Sequence, residues 1–255
     1  MFDLKKILKR IIPDRIRKFI NRIRHFVIVD GPLSYKQDGL YTLHNCDFLK
    51  DKLFLEAYNL GKETNSWKGA DIHWRAHVVF WAASMAKNLD GDFVECGVNR
   101  GGYSRGIIHY IDFEKTNKKF YLLDTFCGLP GKYILPEEKE MGRKPGGYKE
   151  CYEIVKQTFK NFHNVEIIRG AIPDILPLVK AERVAYLSLD MNSAIPEIAA
   201  AEYFWEKMVK GGIVLLDDYS YSGYLPQKNA FDKFAKSRKV EILQLPTGQG
   251  IIIKC

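Results

Sequence analysis

Apolar positions recur at helical spacing through the first third of the chain and then give way to short apolar runs. Leu4, Ile7, Leu8, Ile11 and Ile12 share one helical face, and Ile16, Phe19, Ile20 and Ile23 continue it beyond Pro13. Residues 1–29 are therefore predicted to be a helical extension that Pro13 kinks or divides. Gly31-Pro32 and Asp38-Gly39 mark residues 30–46 as a linker. Helical patterns resume over residues 47–66 and 71–88, predicting helices that cap the next region from outside. From Leu89 the rhythm changes. Apolar runs at Asp92–Val98, Lys119–Phe126, Val165–Gly170, Val184–Asp190, Ile213–Asp218, Val240–Leu245 and Gly250–Lys254 alternate with helical stretches, except that only four residues separate the last two. Strands interleaved with helices predict a mostly parallel sheet covered on both faces. The short final connection predicts a hairpin, and so an antiparallel last strand. The organisation expected is a basic helical segment at 1–29, a linker with cap helices at 30–88 and an α/β core at 89–255.

Composition supports a packed core: 46% of residues are hydrophobic and 27% charged. The net charge is +8, yet residues 1–25 alone hold nine Lys and Arg against Asp3 and Asp14. The basic character thus belongs to the N-terminal segment, and a nucleic-acid partner is not expected. Two readings of that segment stay open. It packs on the body of the protein or on a second subunit, or it lies on an anionic membrane surface as a peripheral contact. No apolar run is long enough to span a bilayer. The start carries charge where a secretion signal would be apolar. The five cysteines are scattered, with no Cys-x-x-Cys pair, so a reduced cytoplasmic location is expected.

The chemistry gathers at the predicted strand ends. The stretch Asp92 to Ser104 reads as a strand, a glycine-rich turn and a helix, with Glu95, Gly97, Asn99, Gly101, Gly102 and Ser104 as candidate ligand contacts. The spacing is not that of a dinucleotide fingerprint, and the phosphate-binding lysine of a P-loop is absent. A ligand with an ammonium, a carboxylate and a sulfonium fits better, which is S-adenosylmethionine. Glu95 would face its positive end, and the amides of Gly101 and Gly102 would receive its carboxylate. Asp124, followed by Thr125 and Phe126 at the second strand end, is the candidate ribose contact, and Gly170 is placed beside the adenine. Asp190 and the pair Asp217-Asp218 close two neighbouring strands. Three converging carboxylates repel one another unless a divalent cation such as Mg²⁺ joins them. Asp190, Asp217 and Asp218 are therefore candidate metal ligands, with Asp190 also the candidate base and a donor contact.

These motifs resemble the macrocin O-methyltransferase (TylF-type) family of class I methyltransferases. The resemblance rests on Gly91 to Val98, on Asp124-Thr125-Phe126-Cys127-Gly128-Leu129-Pro130, on Leu189-Asp190, and on Gly211-Gly212 leading into Asp217-Asp218-Tyr219, within residues 70–254. It implies a Rossmann-like seven-stranded fold and methylation of a sugar hydroxyl with S-adenosylmethionine and Mg²⁺. It also places the family's metal aspartates on Asp190, Asp217 and Asp218, and its base on Asp190. One departure is Asp190-Met191-Asn192, where the family often has Asp-x-Asp. The expected acceptor is a small molecule or glycan, including a glycosylated or lipid-linked metabolite. Two alternatives are a catechol- or phenol-type acceptor and a non-catalytic donor-binding protein at a membrane surface. A homo-oligomer is compatible with all three. Residues 131–150, rich in Gly and Pro, are expected to form a mobile loop, and Arg75 is expected to pair with Glu95 or with the donor carboxylate.

Overall fold

The computed structural model describes residues 32–255. The predicted basic helical segment at 1–29, with its membrane or subunit contact, lies outside the described residues. The chain divides into two compact units. Within the first, the Ser34 hydroxyl donates to the Thr42 and His44 carbonyls. The expected linker is partly structured, with β1 (Tyr35–Gln37) and β2 (Leu40–Thr42) forming a small hairpin. Asp38 and Gly39 at its tip have φ of 51° and 75°, the twist that a two-residue hairpin turn requires.

The second unit carries the α/β core. Its first helices are α1 (Lys52–Glu63), capped by the Asp51 carboxylate on the Phe54 amide at 2.7 Å, and α2 (His73–Lys87). The strands and helices that follow are β3 (Asp92–Cys96), α3 (Gly102–Tyr110), β4 (Phe120–Asp124), β5 (Gly128–Leu129), α4 (Pro136–Glu140), β6 (Gly146–Gly147), α5 (Tyr152–Phe159), β7 (Val165–Arg169), β8 (Val184–Leu189), α6 (Ala194–Trp205), β9 (Met208–Leu216), α7 (Leu225–Arg238), β10 (Leu243–Gln244) and β11 (Gly250–Ile253). Seven strands form one sheet in the order β10-β11-β9-β8-β3-β4-β7. The five strands β9-β8-β3-β4-β7 are parallel, and β11 runs antiparallel to both of its neighbours. The predicted sheet and its reversed last strand are therefore observed. The predicted strand 240–245 shrinks to two paired residues at an open edge, where Leu243 is exposed. The predicted strand 213–218 starts earlier, at Met208, and ends at Leu216.

Alternation along the strands builds two cores. Phe93, Phe120, Leu122, Ile213 and Leu215 face a cluster with α1, α2, α3 and α5, while Val94, Tyr121, Leu123, Val214 and Leu216 face one with α6 and α7. Each fully buried aromatic or aliphatic side chain contributes roughly 1.5–3 kcal/mol by leaving water, so both faces are strongly specified.

Register positions the site. Cys96 is paired with Leu123 on one side and Leu189 on the other, and Leu189 is paired with Leu216. The residues that follow, Gly97, Asp124, Asp190 and Asp217, consequently leave the sheet at one level. Gly97 is indispensable to this arrangement, because its φ is 92° and a Cβ would lie 1.9 Å from the Asp190 carbonyl oxygen. We expect Gly97→Ala to cost on the order of 3 kcal/mol through combined backbone strain and overlap. Denaturant unfolding of the variant would measure this, and unchanged stability would contradict the close approach.

Candidate active site

A cavity of about 330 Å³ opens above these strand ends. Glu95, Gly97, Asn99, Gly102, Asp124, Thr125, Phe126, Gly170, Asp190, Asp217 and Asp218 all line it. Of the predicted contacts only Gly101 and Ser104 do not. Gly101 takes a left-handed conformation at the start of α3, where a Cβ would meet the Phe159 ring at 2.4 Å. Ser104 is fully buried, and its hydroxyl donates to Glu95. Both therefore support the wall of the cavity from behind.

The glycine-rich turn is held differently from expectation. Asp124 accepts the amides of Val98 and Asn99 on one oxygen, each at 2.7 Å, and the amide of Phe126 at 2.7 Å on the other. It is thus the brace of the turn. The Gly101 amide is bonded to the Val98 carbonyl and the Gly102 amide to the Ser66 hydroxyl, both at 2.9 Å. Neither amide is left for the ligand carboxylate that the sequence assigned to it. Burial raises the Asp124 carboxyl, while the backbone donors act against the shift. Burial also pushes Glu95 up to about 8, against the Ser104 hydrogen bond and with Asp124 adding to the rise.

The three aspartates converge as predicted. Carboxylate oxygens of Asp190, Asp217 and Asp218, one from each, lie within 4.8 Å of one another. Burial, followed by the charges of their neighbours, pushes the carboxyls of Asp190 and Asp218 well above the ordinary range. Asp217 is the best supported: Arg75 donates to one oxygen at 2.9 Å, and Gln249 at 2.9 Å and Tyr103 at 3.2 Å donate to the other. Arg75 also clasps Asp38 at the hairpin tip, at 2.6 and 3.2 Å. It does not pair with Glu95, because α2 aims it at Asp217 just past the end of β9. Its neighbours His73 and His77 stack on Tyr58 and Phe48 as part of a packed aromatic face. By contrast, one oxygen of Asp218 is buried without any hydrogen-bond partner. Such an atom is costly unless something else meets it.

A bridge runs outward from Asp190. Asn192, in a left-handed conformation, donates its amide to Asp190 at 3.1 Å and accepts the Tyr224 hydroxyl at 2.8 Å. Tyr221 and Tyr224 line the cavity, whereas Tyr219 is buried against Asp232. Residues 131–150 are folded onto the site, although their composition predicts a mobile loop. Glu138, 2% exposed, accepts the amides of Leu135 and Ala194 and the Ser193 hydroxyl, and so caps α6 from across the cleft. Arg143 stacks on Tyr224 at 3.9 Å and donates to the Asn192 and Gly223 carbonyls. Apart from the Leu135 amide, these partners lie dozens of residues away in the chain, and no local pattern announces them.

The family model of macrocin O-methyltransferase (TylF) matches residues 79–244. The chain belongs to this family. Among similar curated proteins, demethyldecarbamoylnovobiocin O-methyltransferase of Streptomyces niveus is 27% identical over 161 residues, covering 59% of this chain and 60% of its own. Mycinamicin III 3''-O-methyltransferase of Micromonospora griseorubida is 24% identical over 152 residues, covering 54% of this chain and 58% of its own. The chain thus spans less than two thirds of the length of these relatives. Among solved structures, the O-methyltransferase NovP superposes with a TM-score of 0.61 at 23% identity, covering 71% of this chain and 79% of that one. Calicheamicin methyltransferase CalS11 gives 0.56 at 13% identity, over 88% and 99%. These likenesses show the fold.

Glu197 anchors the loop that follows Asp190 in this TylF-family site. Its carboxylate accepts the Met191 amide and the Gln227 side chain, both at 2.9 Å, and burial pushes it up to about 7. The unfolded chain binds this proton only below about 4.5, so ionising Glu197 costs the folded state up to about 3 kcal/mol as pH rises from about 4.5 to 7. Glu197→Gln should therefore gain stability relative to the natural chain at pH 8 but not at pH 4.5. Melting temperatures at the two pH values would show this, and a constant difference would refute it.

Proposed function

We propose that this chain is an S-adenosylmethionine-dependent O-methyltransferase that uses a divalent cation and acts on a sugar hydroxyl of a glycan or glycosylated metabolite. The observation that carries the reading is the meeting, in one cavity, of the glycine-rich turn with three aspartates of which Asp218 keeps a buried oxygen unpartnered. The family and the antibiotic O-methyltransferases among its relatives agree with it.

The donor set suits a hard cation. All three groups are carboxylates, the chemistry preferred by Mg²⁺, and their mutual repulsion is relieved by it. Asp190, Asp217 and Asp218 would hold it, with Asp217 already oriented by Arg75, Gln249 and Tyr103. When bound, such a cation lowers the pKa of an alcohol oxygen that it touches. On the donor side Glu95 faces the ammonium, and the Asp124 corner with Gly170 borders the nucleoside. Asp124 has little capacity left for a ribose hydroxyl beyond the oxygen that it shares with Thr125, whose own bond to it is long at 3.3 Å.

The chain's contribution to transfer is orientation and proton removal. Strand register presents Asp190 beside Gly97, so an acceptor hydroxyl over Asp190 is aligned with the mouth of the glycine-rich turn. Asn192 occupies one Asp190 oxygen, leaving the other to receive the acceptor's proton as its oxygen takes the methyl group. Tyr221 and Tyr224 offer faces for a sugar ring. The folded 131–150 segment excludes water from the same side.

Two measurements test this. With tritiated donor and a panel of glycans and catechols, Asp190→Asn and Asp218→Asn should each lower methyl transfer by about 100-fold or more and abolish Mn²⁺ binding seen by electron paramagnetic resonance, with donor binding kept. Full activity in either variant would remove the metal-and-base reading, and transfer to catechols alone would replace the sugar acceptor. Glu95 must be ionised to meet an ammonium. Affinity for S-adenosylhomocysteine should therefore rise with pH up to about 8 and level off above it, and Glu95→Gln should flatten the profile. An unchanged profile in that variant would place the ammonium elsewhere.

A further inference from the structure

Tyr148, Tyr221 and Tyr224 line the cavity, and each has a cation over its ring. Lys68 lies 4.9 Å from the Tyr148 centroid, Arg75 5.7 Å from that of Tyr221, and Arg143 3.9 Å from that of Tyr224. The cations differ in what else they touch. Arg75 is spent on the carboxylates of Asp38 and Asp217. Neither Lys68 nor Arg143 has a carboxylate partner among the described residues.

Arg143 is nonetheless held in place. The Tyr224 ring covers one face of the guanidinium. Its Nε donates to the Asn192 carbonyl at 3.4 Å and its Nη2 to the Gly223 carbonyl at 3.2 Å. A guanidinium has five N–H groups, so three stay unspent, fixed in direction and able to meet the oxygens of a carboxylate or phosphate. Lys68 borders the same cavity as an exposed ammonium. Tyr148 links the two. Burial, then the charges of Asp190 and Asp218, pushes its hydroxyl up to about 12, and Arg143 acts against that rise. The tyrosine is thus a neighbour of the aspartate corner, of Arg143 and of Lys68. Support of the aspartates falls to Arg75, which bonds Asp217 directly, whereas the other two cations touch no acid. Two uncompensated positive charges beside one cavity favour an anion that enters it.

We infer that Arg143 and Lys68 recognise an anionic group, a phosphate or a carboxylate, carried by the acceptor sugar. The inference rests on the methyltransferase reading and narrows its acceptor from any sugar to a charged one. Arg143 supplies directed N–H contacts and Lys68 a mobile point charge.

The test uses the full chain with S-adenosylhomocysteine and Mg²⁺ present. Glucose, galactose and mannose are each offered as the methyl glycoside, the 1-phosphate and the uronic acid, and affinities are read by ligand-observed NMR titration. At least one charged sugar should bind about tenfold more tightly than its methyl glycoside, the gain of a charge-assisted contact. The phosphate and uronate arms show which anion is read. Arg143→Gln and Lys68→Gln should each cut the preference severalfold, Arg143→Lys should keep part of it, and the double variant Arg143→Gln/Lys68→Gln should lose it. Unchanged affinity for S-adenosylhomocysteine in the Arg143 variants reports an intact fold. If no charged sugar outbinds its methyl glycoside, or if the preference survives in the double variant, the assignment is overturned and the two cations merely offset the aspartates. Failure to bind S-adenosylhomocysteine before any sugar is added would instead sink the donor reading.

Discussion

Four parallel strands that stop at one level bring acidic side chains into a single buried corner, and the surrounding structure is arranged to hold that charge. The pairing of Leu123, Cys96, Leu189 and Leu216 across β4, β3, β8 and β9 sets the level. Asp124, Asp190, Asp217 and Asp218 follow from it, with Glu95 one residue inside. Carboxylates out of water and close together are costly, and most of those here are met by polar partners. Asp124 takes backbone amides, Glu95 takes a serine hydroxyl, and Asp217 takes Arg75, Gln249 and Tyr103. Asp218 retains an unmet oxygen.

The remedies come from far along the chain, so they also act as struts. Arg75 ties α2 and the hairpin tip at Asp38 to the end of β9. Glu138 ties the insertion after β4 to the start of α6, and Glu197 ties the loop after β8 to α7. Ser66 ties the segment before α2 to the glycine-rich turn. Polar networks of this kind specify one arrangement when every member is satisfied. Much of the cavity wall is consequently built from residues that the sheet does not carry.

Local pattern made a large part of this legible. Short apolar runs interleaved with helical stretches and the four-residue gap before Gly250 were enough for the sheet and its reversed last strand, because a strand buried on both faces must be apolar and a short connection must reverse direction. The convergence of Asp190, Asp217 and Asp218 was legible for the same reason, since neighbouring parallel strands end together. The hairpin at 35–42 was concealed in a stretch read as linker, and the insertion at 131–150 was read as mobile. In both, long-range bonds of Asp38, Glu138 and Arg143 add order that leaves no periodic trace.

The sequence by itself determined the α/β layering, the order of the motifs and the acids at the strand ends, because these follow from periodicity and from glycine and proline placed at turns. Only the tertiary structure decided what each motif does. It made Asp124 a brace, turned the amides of Gly101 and Gly102 inward, aimed Arg75 at Asp217 and brought Ser66 and Lys68 into the cavity. The physical reason is that a hydrogen bond fixes a role only when both partners are placed, and here the partners lie as much as 142 residues apart in the chain.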